Sequence, residues 1–190
     1  MSIKQFNCTY MPHEDRLLFR FNTVDDKEYR FWFTRRVALF ILAATEHLVE
    51  KKLEQEHPKP AAKAIAQFQQ EAAKEQANFT SEYQVANQYP IGADPVLVMD
   101  VKCTMTQVDA VDILSMDLIM PGGANLNLKL TMSILQTMRI LLERLAAQAN
   151  WGQLQLDKPL GPITANPQED GEQADRSSEA SAQDIKKNLH

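Results

Sequence analysis

Several residue types are scarce in this 190-residue chain, and each scarcity excludes something. Two cysteines, Cys8 and Cys103, cannot build a disulfide framework or a four-thiolate metal site. Six glycines supply no phosphate-binding loop: Gly122-Gly123 is the single Gly pair, and neither G-x-x-x-x-G-K-[ST] nor G-x-G-x-x-G occurs. Four histidines, His13, His47, His57 and His190, share no ligand spacing, and there is no H-E-x-x-H helix or G-x-S-x-G elbow. The longest apolar run, Val37 to Ala44, falls far short of the roughly 20 residues that cross a bilayer. An excess of positive charge is also missing. The net charge is −5, so nucleic acid could be held only by a local patch.

What remains is ordinary for a globular protein, with 44% hydrophobic and 24% charged residues. The N-terminus has no apolar signal region, and with two unpaired thiols this predicts a cytoplasmic protein with no membrane partner. Composition shifts twice along the chain. From Asp157 onward large apolar residues nearly vanish, and seven acids stand against four bases. Such a segment cannot offset the entropy of ordering, so residues 157–190 are expected to form a disordered acidic tail. Residues 1–156 are left as one domain, long enough to bury about two-thirds of its unfolded surface.

Lys51 to Asn78 is rich in Ala, Gln, Glu and Lys and is interrupted by His57-Pro58-Lys59-Pro60. A helical hairpin insert over 34–80 follows, with helices from Arg35 to about Glu56 and from Pro60 to about Phe79. The second helix offers only Ile65, Phe68 and some alanines as a packing stripe, which is thin. On either side the pattern has period two. Leu17, Phe19 and Phe21, then Tyr29, Phe31 and Phe33, read as a β-hairpin, preceded by a strand through Phe6, Cys8 and Tyr10. Further strands are expected from Pro95 to about Thr106, from Ala110 to Met120 with Leu114, Met116 and Leu118 on one face, and through Leu126, Leu128 and Leu130. A last helix carries Ile134, Leu135, Met138, Leu141, Leu142 and Leu145 as a wide apolar stripe, capped by Thr131 or Ser133, with Trp151 packing back behind it. The order βββ-αα-βββ-α predicts an α+β fold with a mostly antiparallel sheet and a C-terminal helix packed on it. No internal repeat is visible in the residues.

The strings Glu14 to Arg20 and Tyr29 to Arg36, together with Leu126 to Trp151, resemble a pattern in small uncharacterised proteobacterial proteins. That resemblance implies a bacterial cytoplasmic protein and no chemistry. The element order alone is similar to the heads of XRCC-type and centriolar SAS-type assembly proteins, an analogy of fold and not of function.

No catalytic constellation emerges. His13 with Glu14 and Asp15 reads as an exposed turn. Asp94, Asp100, Asp109, Asp112 and Asp117 read as turn and surface acids, and Cys103 lacks a base. No cofactor or metal is expected, and the chain is not read as an enzyme. The candidate binding residues are basic. Arg16 and Arg20 lie on one strand opposite Leu17, Phe19 and Phe21, Arg30 and Trp32 lie on the matching face of the next, and Arg35 and Arg36 open the helix. This face suits single-stranded nucleic acid, gripping phosphates and stacking a base. It suits internal work better: an Arg20–Glu28 cross-strand pair, an Arg–Trp stack, stems covering apolar surface, and Glu14 or Asp15 opposing the charge of Arg35 and Arg36. The first functional expectation is a non-enzymatic protein-protein interaction or assembly module, in which the helical hairpin and sheet form an interface with a protein partner or with a second copy. The alternative is nucleic-acid binding.

Overall fold

A computed structural model describes residues 2–152, except 78, 80 and 110. The expected tail over 157–190 lies outside the described residues. Among the described residues the fold is α+β with two mostly antiparallel sheets and three α-helices. In chain order these are β1 (Ile3–Met11), β2 (Arg16–Thr23), β3 (Glu28–Thr34), α1 (Arg35–Leu53), α2 (Lys59–Gln76), β4 (Val96–Leu97), β5 (Asp100–Val108), β6 (Val111–Ile119), β7 (Asn125–Thr131) and α3 (Met132–Gln148). The order is the one the periodicities predict. Both helices of the hairpin end about three residues early: α1 stops at Leu53 and α2 at Gln76. Among the described residues no helix is long and apolar enough to cross a membrane.

One sheet has the order β1-β2-β3-β4 and the other β5-β6-β7. Among the strand pairings of the described residues, β3–β4 is parallel and the others are antiparallel. The chain passes from one sheet to the other within two residues. The Val98 amide donates to the Trp32 carbonyl at 3.0 Å, and the Met99 amide donates to the Ile119 carbonyl at 2.8 Å. Alternation then decides the core. Leu17, Phe19, Phe21, Phe31 and Phe33 of the first sheet and Leu114, Met116, Leu118, Leu128 and Leu130 of the second are buried in one cluster with α1 and α3.

The elements repeat where the residues do not. An antiparallel three-stranded meander followed by a helix occurs twice, as β1-β2-β3-α1 and as β5-β6-β7-α3. Each meander ends in a threonine whose hydroxyl caps the helix. Thr34 accepts from the Val37 amide at 3.3 Å and Thr131 from the Ile134 amide at 3.5 Å. Each last strand carries three inward side chains before that cap: Tyr29, Phe31 and Phe33 in one, Leu126, Leu128 and Leu130 in the other. The packing is exchanged between units. α1 lies against β3 and β5, and α3 lies against β7 and β1. The repeat escapes the sequence because one copy is aromatic and the other aliphatic.

Trp151 closes the fold. Its indole donates to Asp15 at 2.7 Å, and its ring meets Tyr10 edge-on at 5.7 Å. Asp15 holds a left-handed backbone (φ 49°) in the turn between β1 and β2 and also accepts from the Tyr10 hydroxyl at 3.1 Å. His13 and Glu14 share that exposed turn with it.

Candidate functional site

The outer face of β2 and β3 holds most of the candidate residues, and their register is now fixed. Arg20 stands directly opposite Arg30, and Leu18 opposite Trp32. Two like charges across a strand pair repel unless something intervenes. Residues 82–93 intervene by running over this face as a strap. The Gln84 carbonyl accepts from Asn22 at 2.6 Å, the Ala86 amide donates to Glu28 Oε2 at 3.0 Å, and the Gln88 carbonyl accepts from the Glu28 amide at 2.7 Å. Lys27 and Gln88 form a parallel bridge.

The strap binds Arg30 through hydrogen bonds and meets Arg20 through the Tyr83 ring, leaving Arg20 Nε buried with no hydrogen-bond partner among the described residues. Arg30 donates through Nε to Glu28 Oε1 at 2.7 Å, through Nη1 to the Ala93 carbonyl at 3.0 Å and through Nη2 to the Tyr89 hydroxyl at 3.3 Å, with its guanidinium 4.7 Å from the Tyr89 ring centre. Arg20 donates to Asn7 at 2.8 Å and lies 4.9 Å from the ring centre of Tyr83. Glu28 is fully buried beside Arg30, opposite Asn22. The Tyr83 hydroxyl is buried beside this cluster. Burial, then the Glu28 charge, pushes its ionisation well above the usual phenol range.

Three internal pairings expected from the residues are corrected. Glu28 pairs with Arg30 along its own strand and not with Arg20. The arginines stack on Tyr83 and Tyr89 rather than on Trp32, which is half-buried between Leu18 and Leu97. Glu14 pairs at 3.7 Å with Arg16, and Asp15 serves Tyr10 and Trp151, so neither opposes Arg35 or Arg36. Arg35 and Arg36 are exposed, and Arg36 donates to the Met99 carbonyl. The structure therefore brings Arg20, Arg30 and the strap into one network and leaves Arg16, Arg35 and Arg36 at its margin. Tyr83 and Tyr89, missed in the sequence, lie in a stretch with no period. Their one signal was two tyrosines in an otherwise polar connection.

A second surface forms beside the hairpin. α2 turns Ala62, Ile65 and Ala66 toward the fold, while Phe68 points away and is 72% exposed. Phe68 thus does not belong to the packing stripe expected of α2. It stands at the edge of a groove of about 440 Å³, with Val49 and Leu53 of α1, Ala72 of α2, Met105 of β5 and Met132 of α3. Lys52 and Asp112, 3.3 Å apart, mark its rim, and Asp112 follows the half-exposed Val111.

No protein-family model, curated protein or solved structure matches the chain. The surfaces themselves are what bear on function. Among the described residues no group of three or more His, Cys, Asp or Glu could hold a metal ion. Burial pushes the Cys8 thiol up to about 12 and, with the Asp117 charge nearby, Cys103 up to about 11. Neither thiol is poised as a nucleophile.

Proposed function

We propose that the chain is a non-enzymatic assembly module that pairs with a second copy of itself through the groove beside α2. Phe68 carries this reading. A large aromatic ring left 72% exposed at the mouth of an apolar groove gives one surface both a projection and a recess. An isologous two-fold contact needs that self-complementarity, since each copy must supply what the other receives. Aromatic side chains seated in pockets are the usual anchors of such contacts. Burying Phe68 would contribute about 2 kcal/mol per copy. Lys52 and Asp112 on the rim place both signs of charge where a symmetric partner would meet them, which helps fix register. A reducing cytoplasm suits the two unpaired thiols.

Light scattering on the full chain tests the proposal. A dimer at micromolar concentration that becomes a monomer in Phe68→Glu supports it, and a monomer throughout overturns it. The alternative, single-stranded nucleic acid on the Arg/Trp face, requires residues 82–93 to release Arg20 and Arg30. Salt-sensitive binding of a short oligonucleotide, lost in Arg20→Ala, would favour it over assembly.

A further inference from the structure

A second hollow lies between α1 and α3 and shares no lining residue with the α2 groove. It measures about 610 Å³, and Leu39, Leu42 and Ala43 of α1, Ala146 of α3 and Trp151 give it apolar walls. Arg139 of α3 also lines it. This arginine is 7% exposed, and its Nε has no hydrogen-bond partner among the described residues. A guanidinium stays charged at any working pH, and a dehydrated N–H donor calls for an acceptor.

The nearest carboxylate is already engaged. Glu143, one turn along α3, is 3.8 Å from Arg139 Nη2, beyond hydrogen-bond distance. It is held instead by α2, where the Gln70 amide donates to Oε1 and Lys74 Nζ lies 3.0 Å from Oε2. Glu46 of α1 also lines the hollow, but among the described residues no ion pair joins it to Arg139. The hollow is therefore lined by one nearly buried guanidinium, apolar walls and two carboxylates.

We propose that this hollow binds a small amphipathic carboxylate, its head on Arg139 and its apolar body against Leu39, Leu42 and Trp151. The volume falls within the range of small-molecule sites. A planar guanidinium matches a carboxylate edge to edge. Glu143 is neutralised by Lys74, so Glu46 is the carboxylate in the lining with no ion pair among the described residues, and it biases the site against the second negative charge of a phosphate monoester.

Titration of the full chain with decanoate, and in parallel with decanol, tests this. Trp32→Phe leaves Trp151 as the sole tryptophan reporter. Decanoate is expected to shift Trp151 fluorescence saturably, with decanol at least tenfold weaker. Arg139→Gln is expected to weaken decanoate at least tenfold and leave decanol unchanged, with Arg139→Lys between the two. Ala43→Phe, which fills the hollow without altering Arg139, is expected to abolish binding. The proposal is overturned by no saturable response, by equal affinity for the acid and the alcohol, or by decanoate binding that survives Ala43→Phe. If Arg139→Gln does not fold, Ala43→Phe and the decanol comparison decide alone.

Discussion

The two meander-helix units share one plan and treat their outer faces in opposite ways. In β5-β6-β7 the centre of the outer face is polar and open to water: Asn127 donates to Ser115 and to Asp117, both at 2.7 Å, with Val108 and Val111 exposed at one end. In β1-β2-β3 the outer face carries Asn22, Glu28, Arg20 and Arg30, and residues 82–93 bury it. Charge on a sheet face is thus no guide to a free surface. A bare polar face needs nothing further. A face with two opposed arginines and a buried carboxylate beside one of them depends on the backbone that covers it.

The contrast breaks most sharply at Glu28. Glu28→Ala removes the carboxylate acceptor of Arg30 and of the Ala86 amide, leaving a buried backbone donor unsatisfied and a half-buried guanidinium without its ion pair. A loss of about 4 kcal/mol in urea unfolding is expected. Asp117→Ala, on the wet face of the other unit, should stay within about 0.5 kcal/mol. A loss below 1 kcal/mol for Glu28→Ala would show that the strap does not depend on it. Next in size is Leu128→Ala, fully buried in the second unit, expected to cost about 3 kcal/mol. Because both units feed one core, Trp32 and Trp151 should report the same shifted transition, and two separate transitions would contradict the shared core.

Smaller still are the caps. Thr34→Ala and Thr131→Ala should each cost about 1 kcal/mol, and a cost confined to one of them would break the equivalence of the two junctions. The smallest difference concerns the thiols. Cys8, in the first unit, is pushed from 9.0 to about 12, mainly by burial, and Cys103, in the second, to about 11. Below pH 9 both folded and unfolded chains keep these protons, so stability is unaffected. From pH 9 toward 12 the unfolded chain ionises first, and stability falls as pH rises. In native labelling at pH 8.5, Cys103 should react before Cys8, and the reverse order would contradict their relative burial.

The elements were legible because period-two and helical patterns follow directly from which side faces the core. Leu114, Met116 and Leu118, for example, could belong only to a half-buried strand. The Thr131 cap and the return of Trp151 were legible for similar local reasons. The repeat was not, since Phe31 and Leu128 fill equivalent places with different chemistry. The strap was not legible either: its hold on the sheet runs largely through carbonyl and amide groups of Gln84, Ala86 and Gln88, which every sequence has. Phe68 is not legible because its spacing fits the α2 stripe, while Ala62, Ile65 and Ala66 form the face that turns toward the fold.

Sedimentation equilibrium of the full chain beside Phe68→Glu and Val24→Glu tests assembly most directly. Val24 is 64% exposed in the β2–β3 turn and does not line the groove. The α2 groove predicts a dimer for the wild type and for Val24→Glu, and a monomer for Phe68→Glu at the same concentration. A wild-type monomer, or a dimer that survives Phe68→Glu, would contradict it.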